Sequence, residues 1–142
     1  MQMVRDVMST DVQYCTPVDN IYEVAVKMRD FNVGAIPIVD DGRRLVGIIT
    51  DRDLVVRGLA EKHPGSTAVT EVMSRDLVTL SPNDSVQKAA DVMARHQIRR
   101  LPVVENGRLV GMVALGDLAT NRYSDESAGR ALGEISEQHT VH

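Results

Sequence analysis

Cysteine and aromatic residues are what this 142-residue chain has least of: one cysteine, no tryptophan, one phenylalanine and three tyrosines. A single cysteine, Cys15, allows no internal disulfide framework and no thiolate metal cluster. Aromatic residues at 3% are too few for base-stacking platforms, and the net charge of −4 comes from acidic and basic residues mixed along the chain. Nucleic-acid binding is therefore not expected. No apolar run approaches a membrane span. The start, Met1-Gln2-Met3-Val4-Arg5-Asp6, lacks the long apolar core of a signal peptide, so a cytoplasmic location off the membrane is the expectation. The four histidines, His63, His96, His139 and His142, fall in a linker, at a helix end and in a tail, with no serine or cysteine partner in sequence. Neither catalysis nor a metal site is expected from them, and no cofactor is required.

What is present is a 43% hydrophobic content, enough for one compact domain or two small intertwined ones, and an internal duplication. Val7-Met8-Ser9-Thr10-Asp11 aligns with Val72-Met73-Ser74-Arg75-Asp76, each behind one helical turn. Val12–Thr16 and Leu77–Ser81 follow as short β-branched runs that read as strands, closed by Pro17 and Pro82. Asp19-Asn20 and Asp84-Ser85 then start helices. Ile21, Val24, Ala25 and Met28 lie on one face of the first, over 21–31, and Val86, Ala89, Ala90 and Met93 on one face of the second. The methionines continue the apolar stripes and are read as core. Ala35-Ile36-Pro37-Ile38-Val39 and Arg100-Leu101-Pro102-Val103-Val104 are strands, Asp40-Asp41-Gly42 and Glu105-Asn106-Gly107 are turns with glycine supplying positive φ, and hairpins result.

The stretch that carries chemistry is Gly47-Ile48-Ile49-Thr50-Asp51-Arg52-Asp53, a buried strand entering a helix. Thr50 suits an N-cap, with Asp51 and Asp53 in the first turn. Such a junction offers a hydroxyl, a carboxylate and unpaired amides at one place, able to hold a ribose through Asp53 and a phosphate near Thr50 and Arg52. It is repeated at Gly111-Met112-Val113-Ala114-Leu115-Gly116-Asp117-Leu118, where Ala114 lacks the hydroxyl and Gly116 lacks the cation. The expected organisation is one repeat over 4–60, a linker over 61–68, a second repeat over 69–123, and a C-terminal helix and tail over 124–142. The fold class is mixed α/β: two β-α-β-β-α units packed sheet to sheet with pseudo-twofold symmetry. The helix over 124–137 has Ala128, Ala131, Leu132 and Ile135 on one face.

Taken together, in order and duplicated, these motifs resemble a pair of CBS domains, a Bateman module, of the small stand-alone bacterial kind. The resemblance covers about residues 4–122. It implies a regulatory, non-catalytic module that binds an adenosine-containing ligand, of the AMP, ADP or ATP class, in clefts between the units. It implies a homodimer acting on an unidentified protein target. The family's ribose motif G-x-x-T-x-x-D is complete in the first copy, which gives Thr50 and Asp53 that role. Ile48, Leu77, Val78 and Ile98 would meet the base, and Arg52, Arg99 and Arg100 the phosphates. The second cleft, at Ala114 and Asp117 backed by Val12, Val33, Gly34 and Ala35, is expected to bind more weakly, so one ligand per chain is the expectation. The alternatives are an S-adenosylmethionine sensor and a scaffold that dimerises without ligand.

Overall fold

The computed structural model describes residues 2–119. The expected C-terminal helix and the His139-x-x-His142 pair lie outside the described residues. The elements in chain order are α1 (Val4–Val7), α2 (Ile21–Phe31), β1 (Ala35–Val39), β2 (Leu45–Thr50) and α3 (Asp51–Asp53), which runs on as a π-helical stretch (Leu54–Leu59). A 3-10 turn (Val69–Glu71), α4 (Val86–His96), β3 (Arg100–Glu105), β4 (Arg108–Ala114) and α5 (Leu115–Ala119) follow. The mixed α/β class is as the sequence suggests.

The two long helices have the expected ends. Asn20 caps α2 by accepting from Glu23 N at 2.8 Å, and Glu23 returns the bond by accepting from Asn20 N at 3.1 Å. Ser85 caps α4 by accepting from Lys88 N at 3.0 Å. Both helices stop at a left-handed amide residue, Asn32 (φ 52°), a type that tolerates this conformation well for a non-glycine, and Gln97 (φ 55°). Ile21, Val24 and Met28 are buried on α2, and Val86, Ala89, Ala90 and Met93 on α4. Ala25 is exposed where its counterpart Ala90 is buried, so α2 buries a narrower stripe.

β1 and β2 pair antiparallel with Ala35 opposite Thr50 and Pro37 opposite Ile48, and a bulge falls at Ile38/Val39. β3 and β4 form the second two-stranded sheet. The runs expected as leading strands contribute one parallel bridge each, Cys15 to Ile38 and Leu80 to Val103. Cys15 N donates to Pro37 O, and Leu80 N donates to Pro102 O. A proline has only its carbonyl to offer there, and that is the group used. The second hairpin turns through Asn106 (φ 54°) and Gly107 (φ 81°), the type I′ pairing that suits strand twist. The first differs from expectation, because Gly42 is not its left-handed residue; Arg43 is, at φ 62°. The cause is Asp40, whose carboxylate accepts from Gly42 N and Arg44 N and so holds a longer loop.

The described chain forms two compact units. The first comprises residues 13–77 with 107–109; the second comprises 2–12, 78–106 and 110–119. The units cut across the repeats, since 69–77 completes the first unit and 2–12 the second. The first core is Cys15, Ile21, Val24, Met28, Ile36, Ile38 and Ile49, closed by Val69, Val72 and Met73. The second is built on Val4, Leu80, Met93, Leu101, Val103, Val113 and Leu118.

Candidate functional site

In the first unit the junction between β2 and α3 is held by a reciprocal cap. Asp53 N donates to Thr50 Oγ1 at 3.1 Å, and Thr50 N donates to Asp53 Oδ2 at 2.9 Å. Thr50 and Asp53 are half-buried, while Asp51 and Arg52 are exposed. The carboxylate is thereby fixed in orientation, with Oδ2 engaged by the backbone. Asp51 N donates to Gly34 O at 2.9 Å, which ties the start of β1 to the start of α3. A Cβ on Gly34 would stand 3.2 Å from the Asp51 carboxylate, so that carboxylate lies over the glycine. On the other side of β2, Ile48 and Ser74 exchange both backbone bonds, at 2.9 and 2.8 Å, which brings the segment leading to Leu77 alongside the motif.

The second unit repeats this construction with different side chains. Ala114 N donates to Asp117 Oδ2 at 3.0 Å, but Ala114 has no hydroxyl to return the bond. Leu115 N donates to Arg99 O at 2.7 Å, the counterpart of the Asp51 to Gly34 bond. Ser9 and Met112 exchange backbone bonds, which brings in the segment leading to Val12.

The structure therefore distributes the sequence-predicted residues as follows. Ile48, Thr50, Arg52, Asp53 and Leu77 share the first unit with Val33, Gly34 and Ala35. Ala114, Asp117 and Val12 share the second with Val78, Ile98, Arg99 and Arg100. Each predicted set is thus divided between the units. What sequence reading missed is the neighbour of each motif within its own unit: Gly34-Ala35 beside Thr50-Asp51, and Arg99-Arg100 beside Ala114-Leu115. The hairpin register carried that signal, because Ala35 opposite Thr50 follows from counting outward from the turn once its bulge is known.

Cys15 is 1% exposed. Burial pushes its thiol up to about 11, against the opposing pull of the Lys27 cation. A neutral buried thiol is a poor nucleophile and a poor metal ligand. The Tyr14 ring beside it has two cations near its centroid, Lys27 Nζ at 5.7 Å and Arg43 Cζ at 5.1 Å. Among the described residues no group of three or more His, Cys, Asp or Glu is placed to hold a metal, and no helix is long and apolar enough to cross a membrane.

The CBS domain model matches residues 4–58 and 69–123. The CBS domain-containing protein YhcV of Bacillus subtilis (strain 168) is 51% identical over 138 residues, 97% of this chain and 98% of that protein. Among solved structures, Hypoxic Response Protein I with two coordinated zinc ions superposes with a TM-score of 0.77 at 36% identity, over 83% of this chain and 97% of that one. The CBS domain pair of protein MJ0100, in complex with 5′-methylthioadenosine and S-adenosyl-L-methionine, superposes with a TM-score of 0.74 at 30% identity, over 84% of this chain and 94% of that one.

Proposed function

The chain belongs to the CBS domain family, and on that premise we propose that this regulatory module senses an adenosine-containing ligand at the Thr50–Asp53 junction without catalysing a reaction itself. The observation that carries the reading is the reciprocal cap. It spends Oδ2 of Asp53 on the Thr50 amide and leaves Oδ1 as the acceptor for ribose hydroxyls. Half-buried Ile48 supplies apolar surface for a base, and exposed Arg52 supplies a guanidinium for phosphate. This favours AMP, ADP or ATP. The second reading is a sulfonium such as S-adenosylmethionine, favoured by the Asp51 carboxylate over Gly34. The complex of MJ0100 with 5′-methylthioadenosine and S-adenosyl-L-methionine supports the ligand class.

The output is proposed to pass through a homodimer to a protein target. Support comes from the exposed aliphatic residues of the π-helical stretch: Val55, Val56 and Leu59 are 57%, 44% and 74% exposed.

Thermal unfolding with AMP, ADP, ATP, S-adenosylmethionine and NAD, on wild type and Asp53→Ala, tests the site. Ligand at 100 times its Kd adds about 2.7 kcal/mol to the folded state. A rise in Tm with one adenosine ligand, lost in Asp53→Ala, is the expected result. No rise with any of them would leave the ligand-free scaffold as the function.

A further inference from the structure

The one thiol of the chain, on Cys15, is buried, so the sulfur chemistry open to solvent belongs to methionine. Met28, Met73, Met93 and Met112 are buried as well, Met3 is exposed and Met8 is half-buried. Among the described residues, Met3 and Met8 are thus the methionines within reach of an oxidant. Met8 differs from Met3 because its sulfur serves as packing. A Cβ on Gly111 would stand 2.6 Å from Met8 Sδ and 3.0 Å from its Cγ, so the thioether fills the space that the glycine leaves on β4. The next residue, Ser9, exchanges both backbone bonds with Met112, at 2.8 and 2.9 Å, as an isolated bridge with no further rung beside it.

The first unit has the same device, with Met73 over Gly47 and the Ile48–Ser74 bridge beside it. What differs is the cover. Val72 and Met73 are 0% and 3% exposed, whereas Val7 and Met8 are half-buried and Ser9 and Thr10 are exposed. The second unit therefore presents to solvent the methionine that the first conceals. A sulfoxide cannot take the place of the thioether there. It adds a polar oxygen to an atom already against the buried Gly111. The Ser9 carbonyl oxygen, 3.0 Å from the same Cβ position, is an acceptor and gives the sulfoxide no hydrogen bond. Burying that oxygen without a donor is costly, so the side chain leaves the glycine and the bridge behind it loses its support.

We infer that Met8 is a sulfoxidation site, and that its oxidation by a hydroperoxide releases residues 8–12 from β4, the strand that leads into the Ala114–Asp117 junction. The sulfur lone pair attacks one peroxide oxygen. An S–O bond forms and the O–O bond breaks. The other oxygen leaves as water, or as an alcohol from an organic hydroperoxide, and carries the proton of the transferred oxygen with it. The thioether is oxidised by two electrons and the peroxide is reduced by two. Enzymatic reduction of the sulfoxide reverses the change. The site is independent of the Asp53 reading, whose junction is bordered by the buried Met73.

Hydrogen peroxide added to the full chain tests it, on wild type, Met3→Leu and Met8→Leu, read by peptide mass spectrometry and amide hydrogen exchange. Met8 should oxidise about tenfold faster than Met73, in keeping with its exposure. As Met8 sulfoxide forms, the Ser9 and Met112 amides should exchange about tenfold faster, with Ile48 and Ser74 unchanged. Met3→Leu should respond as wild type does. Met8→Leu, a volume-conserving change, should keep both amides protected in peroxide. Methionine sulfoxide reductases acting on oxidised wild type should restore protection, which tests the site without any variant. Equal oxidation of Met8 and Met73 overturns the site. So does Met8 sulfoxide with Ser9 and Met112 still protected, or protection lost in peroxide-treated Met8→Leu.

Discussion

Asp53 and Asp117 do the same backbone work with different neighbours. Each accepts from the amide three residues earlier, as Asp6, Asp19 and Asp84 do elsewhere in the chain. Capping alone therefore identifies no binding residue. What distinguishes Asp53 is the Thr50 hydroxyl that holds the helix amide in return, leaving the carboxylate oriented and half-buried. Replacing such a cap costs about 0.5–2 kcal/mol, too little to account for a binding loss by unfolding. Cys15 illustrates the opposite case, a residue whose chemistry is suppressed by its surroundings. Its thiol lies at about 11 against an ordinary 9.0. Folding thus favours the neutral form. That contribution is fully present below the unfolded value and is lost as pH rises from about 9 to about 11, because the unfolded chain releases its proton first. Tm followed from pH 8 to 11 should fall more steeply in wild type than in Cys15→Ala; parallel profiles would contradict the burial effect. The sequence already marked Thr50 and Asp53. It could not say that Oδ2 is the oxygen committed to the backbone, because that depends on the rotamer.

At the scale of elements, the two repeats are joined by a packing device that the sequence shows as two unrelated motifs. Gly47 lies in β2 and Met73 in the segment bridged to it. A Cβ on Gly47 would collide with Met73 Sδ and stand 3.1 Å from its Cγ. Gly111 in β4 repeats this with Met8, where Sδ stands at 2.6 Å and the Ser9 carbonyl oxygen at 3.0 Å. Each glycine is thus required for space beneath a methionine from the segment after a short helical turn. Gly47→Ala should cost about 1–3 kcal/mol, the usual range for overpacking. In a double-mutant cycle it should cost far less beside Met73→Ala, which removes the colliding atoms. Additive losses in urea unfolding would refute the contact. Both motifs were legible as repeats, yet their pairing was not, since the partners are far apart in sequence and either methionine could cover either glycine. The helix after Thr50 was legible too, though not its wider turn, in which Ala60 N donates to Val55 O and His63 N to Gly58 O. Helical periodicity over six residues cannot separate a π turn from an α turn.

The largest discrepancy between repeat and structure lies at the scale of the whole molecule. A duplicated sequence suggests that each copy folds on itself, whereas the core around Ile36, Ile38 and Ile49 is completed by Val69, Val72 and Met73 from the other copy. Each of those three is at most 3% exposed, so they are structural parts of the first unit. Sequence alone could not reveal this, because Val4 and Val69 occupy equivalent positions and either could close either core. The consequence can be tested with two fragments of nearly equal length. Residues 13–77 contain the whole first core, together with the Ile48–Ser74 bridge. They lose only the 107–109 strand segment, whose Gly107 carbonyl accepts from Leu45 N and whose Leu109 amide donates to Arg43 O. Residues 1–60 keep one sequence repeat intact but lack all three closing side chains. Both are near the size at which a single core is marginal, so the difference of three buried residues, each contributing about 1.5–3 kcal/mol, decides the outcome. The 13–77 fragment should unfold cooperatively on heating, with dispersed amide resonances below its midpoint, and the 1–60 fragment should show neither. If 1–60 folds as well as 13–77, the repeat and not the exchanged unit is what folds, and the Thr50–Asp53 junction would not need the 69–77 segment at all.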